Sequence, residues 1–173
     1  MKKIGLLSDT HGDLPASLYT HFADVDEIWH AGDIGTLEVL DKLQAFKPVR
    51  AVFGNIDDHT IRLECPEHQA FELEGVQVLM THIAGKPGKY VEKALHLIEE
   101  HRPKLFICGH SHIALVKMDP HFNMLWMNPG AAGKKGFHAI CTMMRFQLEK
   151  GRIEKLELIE LGKRSQLDNS SEI

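Results

Sequence analysis

The stretch LFICGHSH, residues 105–112, ends an apolar run on a glycine and then sets His110 and His112 two positions apart. The same ending recurs along the chain. KKIGLLS runs into Asp9 and His11, EIWHA into Gly32 and Asp33, VRAVF into Gly54 and Asn55, and VQVLMT into His82. Each residue has an ordinary structural reading taken singly. Asp9 and Asp33 could cap following helices, Asn55 could accept a left-handed backbone, and His82 could simply end a strand. Taken together, two carboxylates, one amide and four imidazoles form the donor set of a site for two divalent ions of borderline hardness (Mn, Fe, Co, Ni or Zn), with one carboxylate able to bridge. No thiolate takes part, which argues against a structural zinc site.

The elements that would carry these residues follow from hydrophobic periodicity. Apolar runs near residues 4–8, 26–32, 49–54, 76–82 and 104–109 alternate with helix-period segments at 14–23, 36–46 and 88–101. Runs apolar on both faces, separated by helices, predict a covered α/β sheet, and such a sheet presents its ligand site at the carboxyl ends of its strands. The 88–101 segment puts Val91, Ala94, Leu95 and Ile98 on one face, and Pro103 stops it. After residue 112 the period changes to two: hairpins are predicted around Asp119-Pro120 and Lys150-Gly151. One domain over 1–162 is expected, an α/β half followed by a more antiparallel half. The polar segment 163–173 reads as a flexible tail.

Composition narrows the function. Twenty Lys and Arg stand against 24 Asp and Glu, a formal net charge of -4, with no basic stripe, so general nucleic-acid binding is not expected. The opening MKKIGLLS breaks at Ser8-Asp9 and reads as a first strand, not a signal peptide, and no apolar run is long enough to span a membrane. Cys65, Cys108 and Cys141 are odd in number and widely spaced, which fits a reducing cytoplasm.

The ordered series D-x-H, G-D, G-N-x-D, a lone strand-end H, then G-H-x-H resembles the calcineurin-like metallophosphoesterases. It is most similar to their small single-domain phosphodiesterase branch, which also carries an N-P-G stretch, here Asn128-Pro129-Gly130. The resemblance runs from about residue 4 to residue 133. It implies two mixed β-sheets packed as a sandwich with helices on both outer faces, a four-layer αββα fold. It implies a first metal on Asp9, His11 and His112, a second on Asn55, His82 and His110, and Asp33 as bridge. The implied activity is a metal-dependent phosphodiesterase in which a bridging hydroxide attacks phosphorus in line, with Asp33, Asn55 and His82 closest to the chemistry and Mn the expected metal.

Two departures stand out. Where larger members carry a histidine that protonates the leaving group, this chain has Ile56, and where the branch often reads H-G-H it has His82-Ile83-Ala84. General-acid help is therefore in question, and esters with good leaving groups are favoured. His30 and Asp57 are candidates to orient the ligands from behind, while Arg62, Lys86 and Lys89 are candidate phosphate contacts whose ordinary reading is solvated cations. His59, His68, His121 and His138 stay unassigned. The alternatives are a scaffold for a protein partner, since a retromer subunit resembles the same branch, and a nuclease, which the acidic charge disfavours. A homodimer or higher oligomer would use apolar residues such as Trp126 and Met127, for which core burial is the ordinary reading.

Overall fold

The computed structural model describes residues 1–167. In chain order the elements are β1 (Lys2–Leu7), α1 (Leu18–His21), β2 (Glu27–His30), α2 (Leu37–Phe46), β3 (Val49–Ala51), α3 (His59–Glu64), β4 (His68–Leu73), β5 (Val76–Thr81) and the short pair β6 (Gly85–Lys86) and β7 (Lys89–Tyr90). They continue with α4 (Glu92–His101), β8 (Leu105–Ile107), β9 (Ala114–Asp119), β10 (Met124–Pro129), β11 (Ile140–Glu149), β12 (Arg152–Lys163) and α5 (Arg164–Leu167).

Two five-stranded sheets form, in the orders β12-β11-β1-β2-β3 and β4-β5-β8-β10-β9. Both are mixed. β1, β2 and β3 run parallel in the first, with β11 antiparallel to β1 and β12 antiparallel to β11 at the edge. β5, β8 and β10 run parallel in the second, with antiparallel edges at β4 and β9. The antiparallel strands after residue 112 thus complete both sheets and do not form a half of their own.

Successive side chains point to opposite faces of a strand, which explains runs that are apolar throughout. Leu6 enters the core between the sheets, with Trp29, Met127 and Phe146, while Leu7 packs outward under α1, α2 and α3 with Leu18, Leu40 and Ile61. Val78 and Met80 likewise point inward, and Leu79 faces α4 through Ala94, Leu97 and Ile98. The result is the four-layer arrangement expected: helix, sheet, sheet, helix.

Several local expectations differ. Only Leu18–His21 of the 14–23 segment is α-helical, and α4 begins at Glu92. Residues 85–90 form a two-stranded ribbon because Gly85 (φ +82°) and Gly88 (φ +80°) flank Pro87 in left-handed turns that a helix cannot contain. Within α4, Val91 is the exposed N-cap and Leu97 joins the buried face. Strand β4 and helix α3 were not anticipated. β12 extends to Lys163 and passes into the α5 turn, so only residues 168–173 of the segment read as a tail lie outside the described residues. Trp126 and Met127 are buried at 2% and 0% exposure, so they belong to the core and offer no dimer face.

Trp29 is wholly buried between the sheets, edge-on to Phe71 (5.2 Å) and Phe146 (5.6 Å). Trp29→Ala should cost about 3–5 kcal/mol, read as a lower urea midpoint at unchanged m-value.

Candidate metal centre

The loops after β1, β2, β3, β5 and β8 meet at one end of the sandwich. Backbone bonds link them: His11 N–H donates to Asp33 O (3.0 Å), and Gly109 N–H to His82 O (3.0 Å). Side chains join the two sheets, since the His110 N–H reaches Asp9 Oδ2 (3.1 Å) and the His82 Nδ1–H reaches Ala31 O (2.7 Å). All seven candidate ligands arrive together. Donor atoms of Asp9, His11 and His112 lie within 4.8 Å of one another, as do those of Asp33, His82 and His110. Asn55 joins the second group, its Oδ1 3.0 Å from His110 Nδ1. Asp33 spans both: Oδ1 lies 3.2 Å from His82 Nε2, and Oδ2 lies 3.6 Å from His11 Nε2.

The capping alternatives fail. Ser17 and Thr36 occupy the N-cap positions of α1 and α2, so neither Asp9 nor Asp33 serves there. Their backbones instead turn left-handed: Asp9 at φ +55°, His11 at +48°, Asp33 at +54°, His110 at +69° and His112 at +59°. Such conformations are costly for residues with a Cβ and persist only where the surroundings impose them. The glycines of the motifs make room, since a Cβ on Gly54 would collide with the Asp33 carboxylate, and one on Gly109 with Ser8 and Asp9.

Electrostatics point to a missing positive charge. Asp9 is fully buried, Asp33 and His82 are 2% and 3% exposed, and the floor still holds two orphan atoms, Asp9 Oδ1 and His82 Nε2, which have no hydrogen-bond partner among the described residues. His82 Nε2 is near Asp33 Oδ1 but not aligned as a hydrogen bond with it. His82 donates its Nδ1–H to a carbonyl, so the lone pair on Nε2 faces the carboxylates, as a ligand's should. Burial pushes the His82 pKa down, yet the adjoining Asp33 and Asp9 overcome this and raise it. Asp33 moves the other way: burial pushes its pKa up, and His82, the Ile56 N–H and His11 bring it below its usual value. A divalent cation competes with protons for these lone pairs. The donor set, its geometry and its orphan atoms fit two such ions.

Supporting groups lock the loops. Asp57 accepts from Ile34 N (3.1 Å) and Gly54 N (2.7 Å) on Oδ2 and from Gly35 N (2.7 Å) on Oδ1, tying the Asp33 loop to the Asn55 loop. His30 accepts the Gly32 N–H on Nδ1 (3.2 Å), so Nε2 carries the proton given to Thr10 Oγ1 (2.9 Å), and Thr10 donates onward to Ile34 O. Both residues act through the backbone beside the ligands. Asn128 does likewise for the His110 turn, donating to Gly109 O (2.8 Å) and Ser111 Oγ (3.1 Å).

His138, unassigned by sequence, is the missed participant. Its Nε2 donates to Gly133 O (2.9 Å), leaving Nδ1 to accept the His112 Nδ1–H (3.2 Å) and so turning the His112 Nε2 lone pair towards Asp9 Oδ1 (3.1 Å). Arg62 donates to the Asn55 turn, from Nε to Asp57 O (2.7 Å) and from Nη2 to Asn55 O (3.3 Å), with its guanidinium over Phe53. It positions that turn from the edge of a cavity of about 320 Å³ that Asn55 and His82 also line. Lys86 and Lys89 are exposed on the β6–β7 ribbon, over a cavity walled by Ile113, Leu115 and Trp126.

Residues 1–151 match the calcineurin-like phosphoesterase superfamily domain. The chain belongs to that superfamily. Among relatives of this calcineurin-like phosphoesterase, a probable metallophosphoesterase of Methanothermobacter thermautotrophicus is 32% identical over 133 residues, covering 74% of this chain and 76% of that protein. A conserved protein of Streptococcus pneumoniae TIGR4, described as a predicted phosphoesterase, superposes with a TM-score of 0.69 at 23% identity, over 95% of this chain and 90% of that one. Vps29 of Entamoeba histolytica, solved with Zn²⁺, superposes with a TM-score of 0.69 at 15% identity, over 91% of this chain and 98% of its own. Membership and the two ligand groups support a metal-dependent phosphoesterase. No helix among the described residues is long and apolar enough to cross a membrane.

Two outcomes follow for this phosphoesterase. His138→Ala should weaken Mn²⁺ binding by about 10–100-fold in calorimetric titration while the urea midpoint stays near wild type. The wholly buried His30 has its pKa pushed down to about 3 from 6.5, chiefly by burial, with Asp9 and Asp33 opposing and His82 and His11 adding to the effect. The unfolded chain takes up this proton as pH falls below 6.5 and the folded chain does not until about 3, so acid favours unfolding across that window. Stability should fall by up to about 1.4 kcal/mol per pH unit there, and His30→Gln, which cannot titrate, should flatten that part of the pH profile.

Proposed function

We propose that this chain is a phosphodiesterase with a dinuclear metal centre, in which Asp9, His11 and His112 hold one ion, Asn55, His82 and His110 hold the other, and Asp33 holds both. The observation that carries the reading is Asp33 itself, whose two oxygens face different ligand groups (3.2 Å to His82 and 3.6 Å to His11) beside two buried orphan atoms. Two divalent cations bound there would act as a Lewis-acid pair, activating water and neutralising charge on phosphate. Two carboxylates against neutral imidazoles leave net positive charge for that phosphate. His11 favours the neutral form, its pKa lowered chiefly by burial.

A diester brings two organic arms, and two cavities flank the cluster. One, of about 320 Å³, lies beside Asn55 and His82, and the other, of about 360 Å³, beside His110 and His112. Ile56, beside Asn55, has no proton to give, which favours esters whose leaving group departs without one. Mn is the first metal to try, with Ni, Fe, Co and Zn as alternatives, because a nitrogen and oxygen donor set does not select among them. The acidic charge speaks against a nuclease, and the widely spaced cysteines support a cytoplasmic setting. A scaffold for a protein partner is the second reading. Ile56 in the acid position and the likeness to Vps29 favour it, whereas the complete ligand set disfavours it.

The test is hydrolysis of bis(p-nitrophenyl) phosphate and p-nitrophenyl phosphate by protein stripped of metal and refilled with Mn, Ni or Zn. Metal-dependent cleavage of the diester is expected, reduced at least about 100-fold by Asp33→Asn or His110→Ala. Preference for the monoester would overturn the substrate class. Cleavage of neither would favour the scaffold.

A further inference from the structure

Four positions around the centre put a large, exposed apolar residue directly beside a site residue. Ile56 follows Asn55 (45% exposed), Ile83 follows His82 (40%), Ile113 follows His112 (66%), and Phe137 precedes His138 (106%). Exposed loop positions are ordinarily polar, and apolar surface left in water is unfavourable unless something covers it. Three of them are divided between two cavities and are not gathered in one patch.

Ile83 lines the cavity beside Asn55 and His82; Ile113 and Phe137 line the one beside His110 and His112. At about 320 and 360 Å³, both stand at the small end of ligand pockets. The second is the more apolar, whereas the first includes the Lys93–Glu67 ion pair (2.6 Å). The main chain at Phe137 is also tied to the candidate ligands. Its neighbour Gly136 lies so close to the His112 ring that a Cβ would collide with it, and its other neighbour, His138, bonds His112. The backbone that carries Phe137 is thus held on both sides by the His112 imidazole, while the ring itself stands in solvent at the mouth of the cavity.

We propose that Phe137 and Ile113 form a platform for an aromatic arm of the phosphoester, so that this centre selects esters with a flat apolar substituent over those with alkyl or polyol substituents. The proposal rests on the hydrolase reading and adds the substrate class. Stacking over Phe137 and burial of Ile113 discriminate by shape and polarity, since a polyhydroxylated arm would lose water without gaining a partner.

The experiment compares bis(p-nitrophenyl) phosphate with methyl p-nitrophenyl phosphate, which share a leaving group and differ only in the retained arm. With Mn-loaded protein, kcat/KM should favour the aryl diester by roughly ten-fold. Phe137→Ala and Ile113→Ala should each shrink that ratio, mainly through KM, and Met118→Ala, an exposed apolar change on β9, should leave it unaltered. An equal ratio in wild type and Phe137→Ala, with both esters still cleaved, overturns the platform and leaves the hydrolase standing. A Phe137→Ala change that dissociates a dimer without altering the ratio assigns the face to a second copy and also overturns it. Turnover of neither ester defeats the hydrolase reading, and the platform with it.

Discussion

At the floor of the site, the lone pairs of Asp9, Asp33, His11, His82 and His112 are crowded into a space almost closed to water, with contacts from 3.1 to 3.9 Å. Buried acceptors that face one another repel, and each unpaired buried charge costs several kcal/mol. Against the opposing pull of burial, each of His82 and Asp33 shifts the other, His82 rising and Asp33 falling in pKa, while Asp9 Oδ1 and His82 Nε2 have no hydrogen-bond partner among the described residues. A divalent cation satisfies several lone pairs at once. The arrangement makes physical sense as one that anticipates such a charge, and the surrounding structure can be understood as what holds it in place.

That holding is done mainly by backbone. Five candidate ligands sit in the left-handed region, a conformation costing of order 1–2 kcal/mol apiece for residues with a Cβ. The offset comes from groups that bond the main chain on either side of them: Asp57 across Ile34, Gly35 and Gly54, His30 through Gly32 and Thr10, and Asn128 through Gly109. These in turn are anchored by the cores. His30 follows Trp29, the largest side chain fully buried, and Asp57 lies between the core residue Val52, just past β3, and Ile61 under the first sheet. A ligand geometry with little slack therefore rests on residues that need not touch a metal.

The candidate ligands stood out in the sequence because metal chemistry restricts residue type and because a parallel strand announces its own end: an apolar run, often a glycine, then the donor. The sandwich was legible for a related reason, since runs apolar on both faces require covering on both sides. His138 escaped notice because its contact with His112 is created by the 130–139 loop folding back across the site, and no periodicity encodes that. Strand β4, HQAFEL, mixes polar and apolar residues at an edge where one flank is free, so its pattern is weak. The ribbon at 85–90 was hidden by the helix-like spacing that follows it. The direction of Arg62 was beyond reach as well, because a long side chain can turn back onto its own loop as readily as out to a ligand.

Chemistry and recognition in this fold are carried by adjacent residues, and position 56 shows how the two are linked. A residue next to a candidate ligand inherits that residue's placement, so what stands there is positioned with the accuracy of the site. In larger members the resemblance puts a proton donor at this position; here it is an isoleucine, 45% exposed at the rim. The change removes help to a poor leaving group and adds apolar surface in the same step. Aryl oxides are both good leaving groups and apolar, so one substitution moves the requirements of bond cleavage and of binding in the same direction. On the proposed phosphodiesterase reading, an alkyl ester would be penalised twice, for want of a proton and for want of a surface.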